Sequence, residues 1–244
     1  MSKWIFGIHP VKETLESNGF TCIKLLFKPS PNNKSIAEII QLANSKNVLT
    51  EKADSNAISK VCKGNHQGVA LQIADYKYTD FNDFLQKLEA KAEKPDVLIL
   101  DGVQDPHNLG ALLRSCDAFG VAGIILPQDR SASINETVVK TSAGAAAYVP
   151  VIKVANIVRS IEALKKIGYW VAGTSGNSPT LIYNADLKGA MAYVLGGEGK
   201  GMRRLVRKNC DFMLSLPQNG SINSLNVSVA GGIILAESFR QKKQ

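Results

Sequence analysis

Apolar runs that lack the in-and-out alternation of a half-exposed strand recur through the second part of the chain. Stretches whose apolar residues have helical spacing lie between these runs and after the last one, at 109–119, 156–167, 201–209 and 224–241. Strands of this kind are buried on both faces, as in a parallel sheet that is covered by helices on both sides. We therefore predict an α/β domain over residues 96–244. The runs are 96–100 (DVLIL), 122–126 (AGIIL), 169–173 (YWVAG), 192–196 (AYVLG) and 212–216 (FMLSL).

The N-terminal part of the chain predicts a second, smaller α/β unit over residues 1–75. Residues 20–27 and 66–74 have strand patterns, and 33–46 and 55–63 carry apolar residues at helical spacing. Residues 76–95 are polar and charged, and we interpret them as a linker with one amphipathic helix that ends at Pro95.

The formal net charge of +8 favours a polyanionic partner, because lysine and arginine contacts to phosphates release bound counterions. All seven arginines follow residue 95, whereas the first 95 residues contain lysine only. We therefore expect any planar, bidentate binding of phosphate or carboxylate groups by arginine to occur in the second part of the chain. The candidate lysines of the first part for contacts to such a partner are Lys12, Lys24, Lys28, Lys60 and Lys63.

Cysteine usage and hydropathy predict a cytoplasmic protein. The four cysteines are far apart and have no histidine at ligand spacing, so neither a metal site nor a disulfide framework is indicated. The apolar trio Trp4-Ile5-Phe6 is soon broken by His9-Pro10, and no apolar run approaches the roughly 18 residues that span a bilayer.

The first stretch that suggests chemistry is Asp105-Pro106-His107-Asn108-Leu109-Gly110, which leads into a helix that contains Arg114. Asn108 precedes the apolar residues of that helix, so it is either an N-cap or a functional amide. Arg114 falls on the polar side of the helix, where a solvated arginine is equally ordinary.

The second stretch, residues 195–201 (LGGEGKG), follows a buried strand and precedes a helix. Its glycines permit positive φ and close approach of a ligand to the backbone, although a tight turn alone would also explain them. It matches neither the P-loop nor the dinucleotide fingerprint. Glu198 suits a hydroxyl or ammonium group better than a phosphate, which it would repel.

The third stretch runs from Leu216-Pro217 through residues 218–232 and is dense in Ser, Asn and Gly across a helix start. One N-cap would suffice there, and Asn226 and Ser228 are poor helix formers. Such an excess of small polar residues indicates either a generous cap or a functional site.

Together the three stretches resemble the signature motifs of the SpoU (TrmH-like) family of RNA ribose 2′-O-methyltransferases. The likeness is N-x-G-x-x-x-R at 108–114, L-G-G-E-G-x-G-M at 195–202 and S-L-N-V-S-V-A at 224–230. Residues 7–13 and 66–69 also resemble the L30e-like substrate-binding domain of one branch of the family. Within that branch, the chain most resembles the enzyme that methylates a guanosine ribose in the peptidyl-transferase P-loop of bacterial 23S ribosomal RNA.

The resemblance implies a SPOUT fold with a C-terminal trefoil knot, a homodimer with its active site at the interface, and S-adenosyl-L-methionine as cofactor. It places catalysis at Arg114, Asn108, Glu198, Ser224 and Asn226, without a metal. The implied cofactor-binding positions are Thr174, Ser175, Gly196, Gly197, Leu216 and Leu225.

The role of Arg114 stays open between a general base and an electrostatic anchor. Removing a proton from an arginine at pH 7 costs roughly 9 kcal/mol, so we favour an arginine that anchors a phosphate and stabilises a developing alkoxide. A tRNA-directed enzyme and a non-catalytic RNA-binding protein are the alternatives. A nucleotide-dependent dehydrogenase is a further rival, but the strand ending at Gly102 lacks its glycine fingerprint.

Overall fold

The structure is a computed structural model that describes residues 3–16, 20–30, 33–74, 76–199, 201–220 and 224–243. Lys200 and residues 221–223, which belong to the second and third motifs, lie outside the described residues. The chain forms two compact units, one of Met1–Lys77 with Ile134–Tyr148 and one of Tyr78–Ser133 with Val149–Gln244. The predicted domain boundaries at 75 and 96 stay a proposal.

Ten strands and nine α-helices span the described residues. In chain order they are β1 (Lys3–Phe6), α1 (Ile8–Glu16), β2 (Cys22–Phe27), α2 (Lys34–Ser45), β3 (Leu49–Lys52), α3 (Ser55–Val61), β4 (Val69–Ile73), α4 (Phe81–Glu89), β5 (Val97–Asp101), α5 (Pro106–Ala118), β6 (Gly123–Pro127), α6 (Glu136–Thr141), β7 (Val151–Val154), α7 (Ile157–Lys166), β8 (Trp170–Thr174), β9 (Met191–Gly196), α8 (Arg204–Asn209), β10 (Phe212–Leu214) and α9 (Val227–Lys243).

The first unit contains a four-stranded sheet in the order β1-β4-β2-β3, in which only the β2–β3 pair is parallel. Its predicted α/β character is confirmed. The sequence patterns did not identify β1, α1 or β3, because four-residue strands are too short to show a period. Pro10 also obscured α1, although proline is tolerated in the first turn of a helix.

The second unit contains six parallel strands in the order β10-β8-β9-β5-β6-β7. This confirms the predicted parallel sheet, with β7 as a strand that the patterns missed. One face of β5 packs through Val97 and Ile99 into a core that includes Phe84 and Leu88 of α4. The helix expected in the linker is thus part of the second unit.

The other face of this sheet carries α5 and α9. A Cβ atom on Gly231 of α9 would lie 2.4 Å from Leu112 Cδ2 and 2.9 Å from Leu195 Cδ1, so only glycine permits this close packing. The strand order reverses at β5, which has β6 on one side and β9 on the other. In open α/β sheets ligands bind at such a reversal, beyond the carboxyl ends of the strands.

Three predicted helix starts are wrong. Helix α8 begins at Arg204, three residues later than expected. Helix α5 begins at Pro106, with Asp105 as N-cap and its side chain accepting from His107 N at 2.9 Å. Proline suits this first position because it has no amide N–H to leave unpaired. Asn108 therefore lies inside the first turn and is not the N-cap. Helix α9 begins at Val227, three residues later than expected.

In the described part of the chain, no helix is both long and apolar enough to cross a membrane.

Candidate active site

The three motifs meet in one hydrogen-bonded cluster. Asn108 Nδ2 donates to Glu198 Oε1 at 2.6 Å, and Asn226 Nδ2 donates to Asn108 Oδ1 at 2.9 Å and to Glu198 Oε1 at 3.3 Å. We call Asn108, Glu198 and Asn226 the amide–carboxylate cluster. Hydrogen bonds to an ionised acceptor are stronger than neutral ones, so the cluster fixes all three side chains.

The orientation of Asn226 follows from its place before α9. Its Oδ1 accepts hydrogen bonds from Ser228 N at 2.8 Å, Ser228 Oγ at 2.6 Å and Val229 N at 3.4 Å, so it caps the helix. Because Oδ1 is taken up by the cap, the amide Nδ2 is turned toward Asn108 and Glu198. Asn226 therefore both caps α9 and belongs to the amide–carboxylate cluster.

The glycine loop of residues 196–201 places Glu198 through backbone contacts. Gly197 N donates to Asp101 O at 2.9 Å, and Gly201 N donates to Gly197 O at 3.0 Å. A Cβ atom on Gly196 would lie 2.3 Å from Met202 N, and one on Gly197 would lie 2.2 Å from Gly102 O. These glycines are required by close backbone approach, which a simple tight turn would not demand.

An ion pair that sequence reasoning missed anchors the same loop. The Asp101 side chain is 1% exposed and accepts from Arg203 N at 2.8 Å and from Arg203 Nε at 2.6 Å. The Arg203 side chain is 61% exposed. A carboxylate ending a buried strand was the available signal, but its partner lies 102 residues away.

Two clefts adjoin the glycine loop, and both are lined by Gly197, Glu198 and Gly201. The first, which we call the apolar cleft, has a volume of about 740 Å³. Its walls carry aliphatic and methionine side chains, such as Leu195 and Met213. All six predicted cofactor-binding residues line it, together with Glu198, Ser224 and Asn226: Thr174, Ser175, Gly196, Gly197, Leu216 and Leu225.

The second, which we call the polar cleft, has a volume of about 800 Å³ and is rich in charged groups. Asn108 and Glu198 line it on one side. Because Glu198 borders both clefts, a group bound in either one lies next to the amide–carboxylate cluster. This arrangement can bring two ligands together at one carboxylate.

The structure does not bring Arg114 into this cluster. Its side chain is exposed on α5 and lines neither cleft. Within the described ranges it has no hydrogen-bond or ion-pair partner. Ser224 is also exposed, but it borders the apolar cleft.

The sulfur atoms of Met213 and Cys210 pack against Gly173. A Cβ atom on Gly173 would lie 2.6 Å from Met213 Sδ and 2.8 Å from Cys210 Sγ. Burial raises the pKa of the Cys210 thiol to about 11, so it is neutral at pH 7 and unsuited to act as a nucleophile. No group of three or more His, Cys, Asp or Glu side chains is placed to hold a metal ion among the described residues.

Comparison with known proteins links this geometry to a family. Residues 95–236 match the SpoU rRNA Methylase family, and residues 4–79 match the RNA 2′-O ribose methyltransferase substrate binding family. A Staphylococcus saprophyticus protein described as a putative TrmH family tRNA/rRNA methyltransferase is 42% identical, over 98% of this chain and 95% of its own length.

Solved structures share the fold. The AdoMet-bound rRNA methyltransferase from Sinorhizobium meliloti superposes with a TM-score of 0.81 at 24% identity, covering 98% of this chain and 87% of that one. The SpoU methyltransferase AviRb from Streptomyces viridochromogenes, in complex with AdoMet, gives 0.81 at 22% identity, covering 100% and 91%. The A. aeolicus TrmH/SpoU tRNA modifying enzyme gives 0.56 at 30% identity, covering 67% and 84%.

The matched residues contain all three motifs that form the amide–carboxylate cluster and the glycine loop. The chain therefore belongs to the SpoU rRNA Methylase family of RNA methyltransferases.

Proposed function

We propose that the protein transfers a methyl group from S-adenosyl-L-methionine to a ribose 2′-hydroxyl of structured RNA. The observation that carries the proposal is the position of the amide–carboxylate cluster, where the apolar and polar clefts meet. In methyl transfer the acceptor oxygen must lie in line with the methyl carbon and the sulfur of the donor, so both ligands must be held in place. Much of the acceleration comes from such positioning.

The apolar cleft suits the cofactor. Gly196 and Gly197 line it with backbone and place no side chain in it, and aliphatic side chains offer an apolar surface for an adenosyl group. The bound cofactor supplies an electrophilic methyl group on a sulfonium centre. The residues that would hold it are Thr174, Ser175, Gly196, Gly197, Leu216 and Leu225.

The polar cleft would receive the acceptor ribose. Among the described residues, both hydrogen bonds to Glu198 use Oε1, which leaves Oε2 to accept a hydrogen bond from a hydroxyl group. Asn108 and Asn226 hold the carboxylate in place, and Ser224 lies close enough in the chain to assist. The cluster thus orients the nucleophilic oxygen and needs no large movement to do so.

Arg114 would complete the site in a homodimer. It is exposed on the same helix as Asn108, and the exposed apolar residues Val229 and Phe239 lie on the neighbouring helix α9. A second copy that covers this surface would bury those side chains and place the arginine at an interface. Sedimentation equilibrium should then give twice the mass of one chain.

The arginine would act as an anchor for phosphate and for the developing alkoxide. Arg114→Lys keeps the charge, whereas Arg114→Ala removes it. An electrostatic role predicts substantial methyl transfer in the lysine variant and little in the alanine variant. Equal, near-total loss in both would favour the fork geometry of the guanidinium or a base role.

For the RNA, we propose a guanosine in the P-loop of 23S ribosomal RNA, with the first unit binding the substrate. Lys12 and Lys24 pair with Glu38 and Glu51, at 3.0 Å and 2.5 Å. Their charge is therefore partly neutralised within the unit. Of the five candidate lysines, those that are exposed and left without an ion pair among the described residues are Lys28, Lys60 and Lys63.

Methylation of tRNA is the alternative, favoured by the tRNA modifying enzyme that is 30% identical over the shared part. Ribose-methylation mapping on total RNA from cells with and without the protein decides between them. Loss of methylation at one 23S guanosine supports the proposal, and loss at a tRNA nucleotide supports the alternative. No change at any site, together with no binding of labelled S-adenosylmethionine, would indicate a non-catalytic RNA-binding protein.

The proposal extends to a trefoil knot at the C-terminal end of the sheet and to residence in the cytoplasm, where the RNA substrate is assembled. Single-molecule stretching tests the knot. A knotted chain extends to less than its full contour length, whereas an unknotted chain reaches it.

A further inference from the structure

The polar cleft contains two charged side chains for which the catalytic proposal has no use. Asp101 is paired with Arg203, and Glu198 is bound by two amides. The Asp105 carboxylate caps α5. The remaining charged residues of the lining are Asp129 and Arg130, which are exposed and have no hydrogen-bond or ion-pair partner within the described ranges.

The backbone holds these two neighbours in a disfavoured conformation. Arg130 has φ of 56°, in the left-handed region that non-glycine residues rarely adopt. The flanking chain is tied down by three contacts: Gln128 N to Val154 O at 2.9 Å, Ser131 Oγ to Pro127 O at 2.6 Å, and Ala132 N to Val103 O at 2.9 Å. Such strain persists only where the surroundings impose it, and it is concentrated at ligand sites.

The two side chains place an acceptor and a donor in the lining of one cleft, so a ligand that binds both must offer a donor and an acceptor. Guanine has two adjacent donors, N1–H and the 2-amino group, that match the two oxygens of a carboxylate. It also has acceptors at O6 and N7, which arginine binds in a bidentate manner. On the Watson–Crick edges of adenine and cytosine, an amino group lies next to a ring nitrogen that is an acceptor. Uracil has one donor between two acceptors. Each of these three bases would therefore place a lone pair against one oxygen of the carboxylate.

We infer that Asp129 and Arg130 recognise the base of the acceptor nucleotide, and that this base is guanine. The inference rests on the proposed function, because it takes the polar cleft to be the acceptor site. Asp129 accepts from N1–H and the 2-amino group, and Arg130 donates to O6 or N7. The loop of residues 127–132 is then a specificity element that touches the substrate without taking part in methyl transfer.

Titration of the full chain with 5′-GMP, 5′-IMP and 5′-AMP, followed by NMR, tests the inference without a known RNA target. IMP lacks only the 2-amino group. The wild type should bind GMP roughly tenfold or more tightly than IMP and AMP, which is the usual discrimination from one bidentate contact. Asp129→Asn should abolish the preference, and the matched controls Glu162→Gln and Arg159→Ala, on exposed positions of α7, should retain it.

Arg130→Gly separates recognition from folding. Glycine relieves the left-handed strain, so the variant should melt at or above the wild-type temperature while losing most of its GMP affinity. Equal binding of the three nucleotides by the wild type, or an unchanged preference in Asp129→Asn, would overturn the inference. S-adenosylmethionine titration on the same samples reports on the proposed function separately, since neither residue lines the apolar cleft.

Discussion

Gly197→Ala is the sharpest perturbation of the site, because the added carbon meets backbone rather than a flexible side chain. Its Cβ atom would lie 2.2 Å from Gly102 O, whereas ordinary contact begins at 3.4 Å. The loop must therefore move by more than 1 Å. That movement would also strain the hydrogen bond from Gly197 N to Asp101 O, which joins the loop to β5.

Overpacking of this kind costs about 1–3 kcal/mol of the free energy of unfolding. For a chain of this size the melting temperature should fall by roughly 2–4 °C per kcal/mol. Methyl transfer should fall much further, on the order of 100-fold, because a displacement of 1 Å is enough to misalign reacting groups. Thermal melts, calorimetric titration with S-adenosylmethionine, and transfer of labelled methyl to RNA from cells lacking the protein measure the three effects.

Gly120→Ala is the matched control, at the turn after α5 and in the lining of neither cleft. Gly120 has φ of 66°, and a Cβ atom added there would meet no atom beyond its chain neighbours within 4 Å, so alanine brings conformational strain and no collision. That strain costs about 1–2 kcal/mol, and the two variants should lose comparable stability. Only Gly197→Ala should lose cofactor affinity and methyl transfer. If both variants retain the same transfer rate, close backbone packing is not what shapes the site.

Three further predictions test other parts of the molecule. Asn226→Asp should keep the cap of α9 but abolish methyl transfer, because a second carboxylate would face Glu198. Asn226→Ala should lose both the cap, with about 1 kcal/mol of stability, and methyl transfer. Hydrogen bonds from Arg240 and Gln241 lower the pKa of Glu237 from 4.5 to about 2. The stability that this carboxylate adds is therefore present above pH 4.5 and disappears as the pH falls toward 2, so urea unfolding of Glu237→Gln should show a smaller acid-induced loss than the wild type. Replacing Lys28, Lys60 and Lys63, the exposed candidate lysines without an ion pair among the described residues, by glutamine should weaken RNA binding. The slope of log K against log salt concentration, measured by filter binding at several salt concentrations, should become shallower by about 0.7–0.9 for each phosphate that is no longer neutralised. A slope equal to that of the wild type would show that these lysines do not contact the RNA.

Local patterns were sufficient for five of the six strands of the parallel sheet. Residues 97–100 of β5 are apolar on both faces because both faces are covered, and that property is visible in four consecutive residues. The patterns failed where an element is short, as in β3 and β7. They also failed where two neighbouring residues could each be the N-cap of a helix. Asn108 precedes an apolar period, yet Asp105 caps the helix because Pro106 can start it.

The chemical identity of the site residues was readable from the motifs, but their arrangement was not. Asn226 looked like an excess polar residue at a helix start, and the structure shows that its two amide atoms do different work, one in the cap and one in the cluster. Arg114 belongs to the first motif by spacing, yet it lies on a different face of α5 from the cluster.

The amino-acid sequence by itself determined the α/β class, the parallel sheet and the three stretches that carry polar chemistry, because each depends on neighbours along the chain. Only the tertiary structure decided that Asn108, Glu198 and Asn226 share hydrogen bonds across separations of 90 and 118 residues. It alone also paired Asp101 with Arg203 and placed a cleft on each side of one glycine loop. Such contacts depend on how the strands are ordered in the sheet, and no local pattern encodes that order.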